Sequence, residues 1–164
     1  MLLVILFFLL SVKAGFAQVD AGDIVKLTNS FRIENNLSPL TVNAKLTEAA
    51  KQKANDMIKN NYWSHVSPTG INPWYWIKKT GYRYSYAGEN LAQGFEDSST
   101  VLNAWKKSPA HKKNLLTNTF CQIGVATVNG QINGKNTTVV VQMMACPKNG
   151  IGSIIENAKK YILG

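Results

Sequence analysis

Between residues 20 and 61, apolar and polar residues are arranged with helical spacing in two stretches. One stretch begins after Asp20 or Asp23, either of which is a typical helix N-cap residue. A second stretch follows residue 43 and has one face of small and apolar side chains that includes a lysine: Leu46, Ala49, Ala50, Lys53, Ala54, Met57 and Ile58. Alanines on such a face allow close packing, so both stretches predict helices that lie against another layer.

Aromatic residues and helix breakers replace this pattern from residue 62 to residue 84. We expect a loop, a short helix after Pro73 and then a turn. The tryptophans here could form a stacking platform for sugars or bases, but burial in the core and under the loop is the simpler interpretation. A further amphipathic helix is predicted after Ser98 or Ser99, and Pro109 closes or restarts it.

Two strand-like runs, "CQIGVATV" and "TVVVQMMA", flank a segment rich in Gly and Asn. Asn133-Gly134 is a dipeptide preferred in two-residue hairpin turns. Cys121 lies 12 residues before Asn133 and Cys146 lies 12 residues after Gly134, so this turn would place the cysteines opposite each other and close enough to bridge. A turn at Asn129-Gly130 would break that register. The order of elements predicts one α+β domain.

The bulk composition is that of a globular protein, with 45% hydrophobic and 16% charged residues in 164. The N-terminus differs, because "MLLVILFFLLSV" is a continuous apolar run followed by small residues at Gly15 and Ala17. This pattern is typical of a secretory signal peptide cleaved after Ala17, spanning residues 1–17. No basic residue precedes the run, so an uncleaved N-terminal anchor is the alternative. Both predict export to a secreted, extracellular or cell-envelope location, where disulfides are stable.

Basic residues outnumber acidic ones by 18 to 9 over the chain. Without residues 1–17, which hold one lysine, the formal charge is +8. Such a surface favours anionic polymers or membrane surfaces as partners. The basic residues are scattered, and no nucleic-acid-binding motif accompanies them, so we expect no nucleic-acid partner. The tail from residue 147 to residue 164 is predicted to be a short docked helix.

The two histidines of the chain, His65 and His111, both adjoin residues that break helices. Neither lies in a local metal-binding motif, because HExxH, CxxC and acidic ladders are absent from the sequence. A site containing them must therefore assemble from distant segments. Glu89, in "YAGENLAQG", stands among small and apolar neighbours between the two histidines.

Five segments, "YWSHVSP", "GYRYSYAGENLAQG", "AWKKSPAHKKNLL", "CQIGVAT" and "VVVQMMA", resemble the CAP superfamily in order and spacing. This group, also called the SCP domain, comprises cysteine-rich secretory, antigen 5 and pathogenesis-related 1 proteins. The bacterial-type short-loop branch is most similar. The resemblance covers residues 22–146 and implies a three-layer α-β-α sandwich with a central, mostly antiparallel sheet and a cleft.

The resemblance also implies roles for single residues. His65 and His111 are similar to the two cleft histidines of the family and Glu89 to its first glutamate, so these three would bind a ligand or a zinc-like divalent cation. The second glutamate is replaced by Ser108. Without it the chain lacks the carboxylate pair used by glycosidases. Glu89 is then either a metal ligand or the residue that orients an imidazole.

Three functions remain open from the sequence. The first, which we favour, is an exported cleft-binding module for an extracellular ligand, lipid-like or from the cell envelope, acting as a monomer without catalysis. The second is a metal-dependent, protease-like hydrolase in which a cation held by the histidines activates water. The third is an envelope domain whose basic surface holds anionic polymer or lipid. A hydrogen-bond network of His65, Glu89 and His111 that binds nothing is the structural alternative.

Overall fold

A computed structural model describes residues 19–148, and the predictions for residues 1–17 and for the C-terminal helix lie outside this range, apart from the first two residues of the tail. Within it the helices are α1 (Ala21–Glu34), α2 (Ala44–Lys59), α3 (Pro73–Lys79), α4 (Ser98–Lys107) and α5 (Pro109–Leu115). The strands are β1 (Thr41–Val42), β2 (Tyr84–Gln93), β3 (Gln122–Ile132) and β4 (Lys135–Pro147). Among these residues no helix has the length and apolar character needed to cross a membrane.

The four strands form one sheet in the order β1-β3-β4-β2. β3 and β4 form a hairpin whose last pair is Ile132 with Lys135, so the turn lies at Asn133-Gly134 as predicted and the alternative at Asn129-Gly130 is wrong. Both turn residues have positive φ, 51° and 72°, as a type I′ turn requires. The register brings Cys121 and Cys146 to a Cα separation of 5.0 Å, and they form a disulfide.

Helices cover both faces of the sheet, which confirms the predicted α+β, three-layer arrangement. On one face α2 and α3 enclose a core with alternate residues of the strands, among them Leu91, Val141 and Met143. On the other face the core contains residues of α1, α4 and α5 together with Val125, Val140 and Met144. The sheet is mostly antiparallel, since only β1 pairs in parallel, with β3.

Strand β2 lies at the sheet edge and was not predicted from the local pattern, because five successive residues, from Gly88 to Ala92, are buried rather than alternate ones. An edge strand exposes backbone groups that can pair with another chain. Here the indole nitrogen Nε1 of Trp105 donates to the carbonyl of Leu91 at 2.9 Å, and Nδ2 of Asn114 donates to the carbonyl of Glu89 at 2.9 Å. Helices α4 and α5 therefore occupy the outer side of β2.

The close approach of α2 to the sheet depends on Gly124 in β3. A Cβ atom at this position would lie 2.1 Å from the backbone of Leu46 and Thr47. At Gly130, in the same strand, a Cβ would instead meet the side chain of Ile58 at 2.6 Å. Backbone cannot move out of the way as a side-chain end can, so only Gly124 fixes the distance between the layers.

Gly124→Ala is expected to lower the free energy of unfolding by about 3 kcal/mol or more, because overpacking costs about 1–3 kcal/mol even where side chains can adjust. Gly130→Ala is the matched control and should cost less, since Ile58 can change rotamer. Urea unfolding of both variants provides the measurement. Equal losses would contradict the assignment of Gly124 as the contact that sets the layer spacing.

Candidate functional site

The three predicted site residues come from three different elements and line one pocket of about 430 Å³. His65 lies in the loop after α2, Glu89 in β2 and His111 in the first turn of α5. The ring nitrogen Nδ1 of His65 lies 2.6 Å from Oε1 of Glu89. The structure thus brings all three residues together, with a direct contact between two of them.

Glu89 is a buried carboxylate, with only 1% of its side chain exposed, whereas 54% of the His65 side chain is exposed. Burial raises the pKa of Glu89 above its ordinary value. The hydrogen bond from His65 and the charge of Lys53 act in the opposite direction. The residue before Glu89 must be glycine, because a Cβ at Gly88 would lie 2.8 Å from the ring of Phe120. Glu89 is therefore held in the floor of the pocket.

Lys53 lies beneath the site on the buried face of α2, with no exposed surface. Its Nζ donates to the hydroxyl of Tyr62 at 3.1 Å and to the backbone carbonyl of His65 at 2.9 Å. The Tyr62 hydroxyl in turn donates to Asp56 at 2.5 Å. Burial lowers the pKa of Lys53, while the charges of Glu89 and Asp56 raise it. The sequence pattern placed Lys53 on the buried face but did not reveal that it supports the His65 loop.

Asn90 connects the site to the rest of the sheet and is completely buried. Its Oδ1 accepts from Nδ2 of Asn114 at 2.9 Å, and its Nδ2 donates to Gln142 at 2.9 Å and, more weakly, to the carbonyl of His111 at 3.4 Å. Gln142 then donates to the hydroxyl of Thr28 in α1 at 2.9 Å. These amides hold the first turn of α5, and so His111, against β2. Single-sequence patterns give no signal for them beyond their apolar surroundings.

A second pocket, of about 480 Å³, adjoins the first at His111, which lines both. It is lined by Trp63, Trp105 and Ser108 and by the end of β2. Trp63 has 41% of its surface exposed, and Val66, beside His65, has 46%. Of the three tryptophans between residues 62 and 84, Trp76 is buried and Trp74 is partly buried against the core, as the anchoring interpretation predicted, but Trp63 is not. The two pockets share His111 and are each lined by residues of β2, and we call the pair the β2 groove.

Within residues 19–148 no three His, Cys, Asp or Glu side chains are arranged to hold a metal ion. Oε1 of Glu89 is engaged by His65, while its Oε2 is buried and has no hydrogen-bond partner among residues 19–148. Of the two roles predicted for Glu89, orientation of the imidazole is the one that this geometry fits.

Serine nucleophiles are not set up at the site either. Ser108 joins α4 to α5, and its side chain makes no capping hydrogen bond. In the described part of the chain no hydrogen bond links Ser64 or Ser108 to a histidine. A nucleophilic serine needs such a contact with a general base.

The matched family model, described as the cysteine-rich secretory protein family, CAP, covers residues 25–144. This match spans most of the chain, and the chain therefore belongs to the CAP family. The resemblance that the five motifs indicated is thereby confirmed.

Three bacterial proteins are similar to this chain, and two of them are described as an extracellular and an outer surface protein. Protein YkwD of Bacillus subtilis is 40% identical over 105 residues, covering 64% of this chain and 41% of YkwD. An extracellular SCP-domain protein of Bacillus anthracis has 30% identity and a TM-score of 0.66 over 76% of this chain and 39% of its own. An outer surface protein of Borrelia burgdorferi has 25% identity and a TM-score of 0.68, covering 77% of this chain and 92% of its own. The chain thus spans less than half of the two Bacillus relatives.

The electrostatic coupling of the two histidines gives a testable pH dependence. Burial lowers the pKa of His111 below its ordinary 6.5, and the nearby imidazole of His65 lowers it further. The unfolded chain therefore binds this proton at a higher pH than the folded chain does. The contribution of His111 to stability is complete above pH 6.5 and is lost as the pH falls below 6.5.

We expect the loss of unfolding free energy between pH 7.5 and pH 5 to be smaller in His111→Gln than in the wild type. In NMR titrations, His65→Gln should raise the pKa of His111, because the repulsion between two imidazolium ions is removed. A His111 pKa that does not respond to His65→Gln would show that the rings are not coupled.

Proposed function

We propose that the chain is an exported CAP-domain binding module whose β2 groove binds an extracellular ligand, lipid-like or derived from the cell envelope. The single observation that carries this proposal is the groove itself, in which two pockets meet at His111. The extracellular and outer-surface relatives support an envelope location. Those locations are the relatives' own, and export of this chain belongs to the proposal.

The chemistry of the groove suits a ligand with both apolar and polar groups. Trp63, Val66 and Trp74 offer apolar and aromatic surface, two of them exposed. His65, Asn72 and Asn114 offer hydrogen-bonding groups beside it. Sites of this kind bind through apolar contact and are made selective by a few placed polar groups.

Binding is a better match to this site than catalysis. The one carboxylate present is buried and paired with His65, so it has no second acid beside it to share proton transfer. Ser64 and Ser108 lack a hydrogen bond to a general base among the described residues. We therefore propose no reaction for the groove.

The test uses solubilised peptidoglycan fragments and the fluorescent fatty acid cis-parinarate as the two probes. Trp63→Ala should weaken binding of the probe that occupies the groove by about tenfold or more. Aromatic side chains that a ligand covers on binding contribute most of the affinity of such interfaces. Tyr86→Ala is the matched control, because Tyr86 is 60% exposed and lines neither pocket. Calorimetry and NMR shifts at His65 and His111 provide the readouts.

Two outcomes would contradict the proposal: shifts confined to residues outside the groove, or an equal loss in Tyr86→Ala. Hydrolysis of a peptide or ester library that disappears with chelator and in the His65→Ala/His111→Ala variant would instead support the hydrolase.

The divalent cation stays a prediction from the family resemblance. A site made by the two imidazoles, with Glu89 orienting His65, should retain Zn²⁺ in Glu89→Gln at reduced affinity and lose it in His65→Ala/His111→Ala, because removing an orienting partner typically costs about 10–100-fold in affinity. Metal analysis and calorimetry measure both variants. Unchanged metal content in the double variant would rule out these residues as ligands.

A further inference from the structure

A pocket away from the β2 groove has a strongly basic lining. It has a volume of about 680 Å³ and is lined by Lys78, Gly81, Tyr82, Arg83, Tyr84 and Lys148. None of these residues lines the β2 groove. We infer that this basic pocket binds a phosphate group carried by a component of the cell envelope.

Three local features of the backbone create the basic pocket. Gly81 adopts a φ of 72° after α3, so the chain turns sharply between Lys78 and Arg83. The register of β2 against β4 shifts between Tyr84 and Tyr86, which is a bulge, and bulges redirect side chains at sheet edges. The backbone nitrogen of Lys148 then donates to the carbonyl of Arg83 at 3.1 Å, which brings the end of β4 to the start of β2.

Among the residues that the structure describes, the cations around the pocket have no acidic partner. Within residues 19–148 the ion pairs are Lys26 with Asp23 and His65 with Glu89, so Lys78, Arg83 and Lys148 make none there. The pocket lining contains no Asp or Glu. A fourth cation is close, because Nζ of Lys45 donates to the carbonyl of Gly81 at 3.3 Å. Like charges held together without a counter-charge favour an anionic ligand.

The C-terminal end of α3 lies beside the pocket, and its carbonyls would repel an anion if they were free. They are occupied. The hydroxyl of Thr80 donates to the carbonyl of Ile77 at 2.8 Å. The backbone nitrogen of Gly81 donates to the carbonyl of Lys78 at 2.9 Å. Lys45 donates to the carbonyl of Gly81. These bonds reduce the negative potential of the helix end beside the pocket that Lys78, Arg83 and Lys148 line.

The chemistry of the lining points to phosphate rather than to an isolated carboxylate. Arg binds phosphate oxygens through two parallel hydrogen bonds, and lysines add point charges for a group that carries several oxygens. The hydroxyl of Tyr82 is engaged with Gln122 at 2.7 Å, and burial raises its pKa to about 12, so it brings no negative charge. A volume of about 680 Å³ holds a phosphate together with the group to which it is esterified.

The experiment uses the full chain with three probes: inorganic phosphate, a soluble glycerol-phosphate polymer, and phosphatidylglycerol vesicles with phosphatidylcholine vesicles as the blank. Inorganic phosphate should shift the backbone NMR signals of Gly81, Arg83 and Tyr84. Lys78→Gln/Arg83→Gln should abolish these shifts and weaken binding of the polymer or the anionic vesicles by about tenfold or more. The slope of the logarithm of affinity against the logarithm of salt concentration should fall by about one for each cation removed.

Lys112→Gln/Lys113→Gln removes the same net charge from α5 and is the matched control. It should retain the phosphate shifts and most of the binding. Binding to the polymer alone, or to the anionic vesicles alone, identifies the source of the phosphate, and either supports the basic pocket. Equal losses in the two double variants would show unspecific attraction to a basic surface and would overturn the inference, as would the absence of phosphate shifts at the pocket.

The result is independent of the β2 groove. Trp63→Ala should leave binding of all three probes at the basic pocket unchanged, whether or not it affects a groove ligand. A loss of phosphate shifts in Trp63→Ala would place the phosphate in the groove and would also overturn the inference.

Discussion

The burial of the Glu89 carboxylate against an imidazole and above a buried ammonium group is the constraint on which the site depends. Transfer of an ion from water into a protein costs several kcal/mol, and only well-placed partners offset that cost. His65 supplies one partner at 2.6 Å, and Lys53 lies close enough to lower the Glu89 pKa by its charge. Lys53 also binds the carbonyl of His65. A lysine that emerges from α2 thus links the loop, the helix and the edge strand.

Polar side chains perform the same task on the other side of β2. Asn90, Asn114 and Gln142 form a chain of amides that reaches from α5 across β2 and β4 to α1, on the same face of the sheet. Each of these groups would be costly to bury alone, but together they satisfy one another. The two histidines are therefore positioned by two separate networks, one charged and one neutral. Both networks include residues of β2, and this places the two imidazoles at one pocket.

Much of the fold could be predicted from the sequence, because the deciding features were local. Helical spacing identified α2, including the burial of Lys53, and the Asn-Gly turn fixed the hairpin register and with it the disulfide. Strand β2 could not be predicted from its own pattern, because side chains on both of its faces are buried and the alternation of a half-buried strand is missing. The elements that bury it are distant in sequence. The site residues were found through scarcity and family motifs, whereas the supporting roles of Lys53 and Asn90 depend on contacts that appear only after folding.

The capped edge of β2 has a consequence for how recognition can change. Since Trp105 and Asn114 already occupy the carbonyls of Leu91 and Glu89, those carbonyls are not available to pair with a ligand as an added strand would. If the groove binds a ligand as we propose, its selectivity resides in the side chains of the loop after α2 and of α5 that line it. Such side chains can be exchanged without altering the hydrogen bonds of the sheet. The proposed binding function would then be separable from the scaffold, because substitutions at the rim of the groove leave the sheet unchanged.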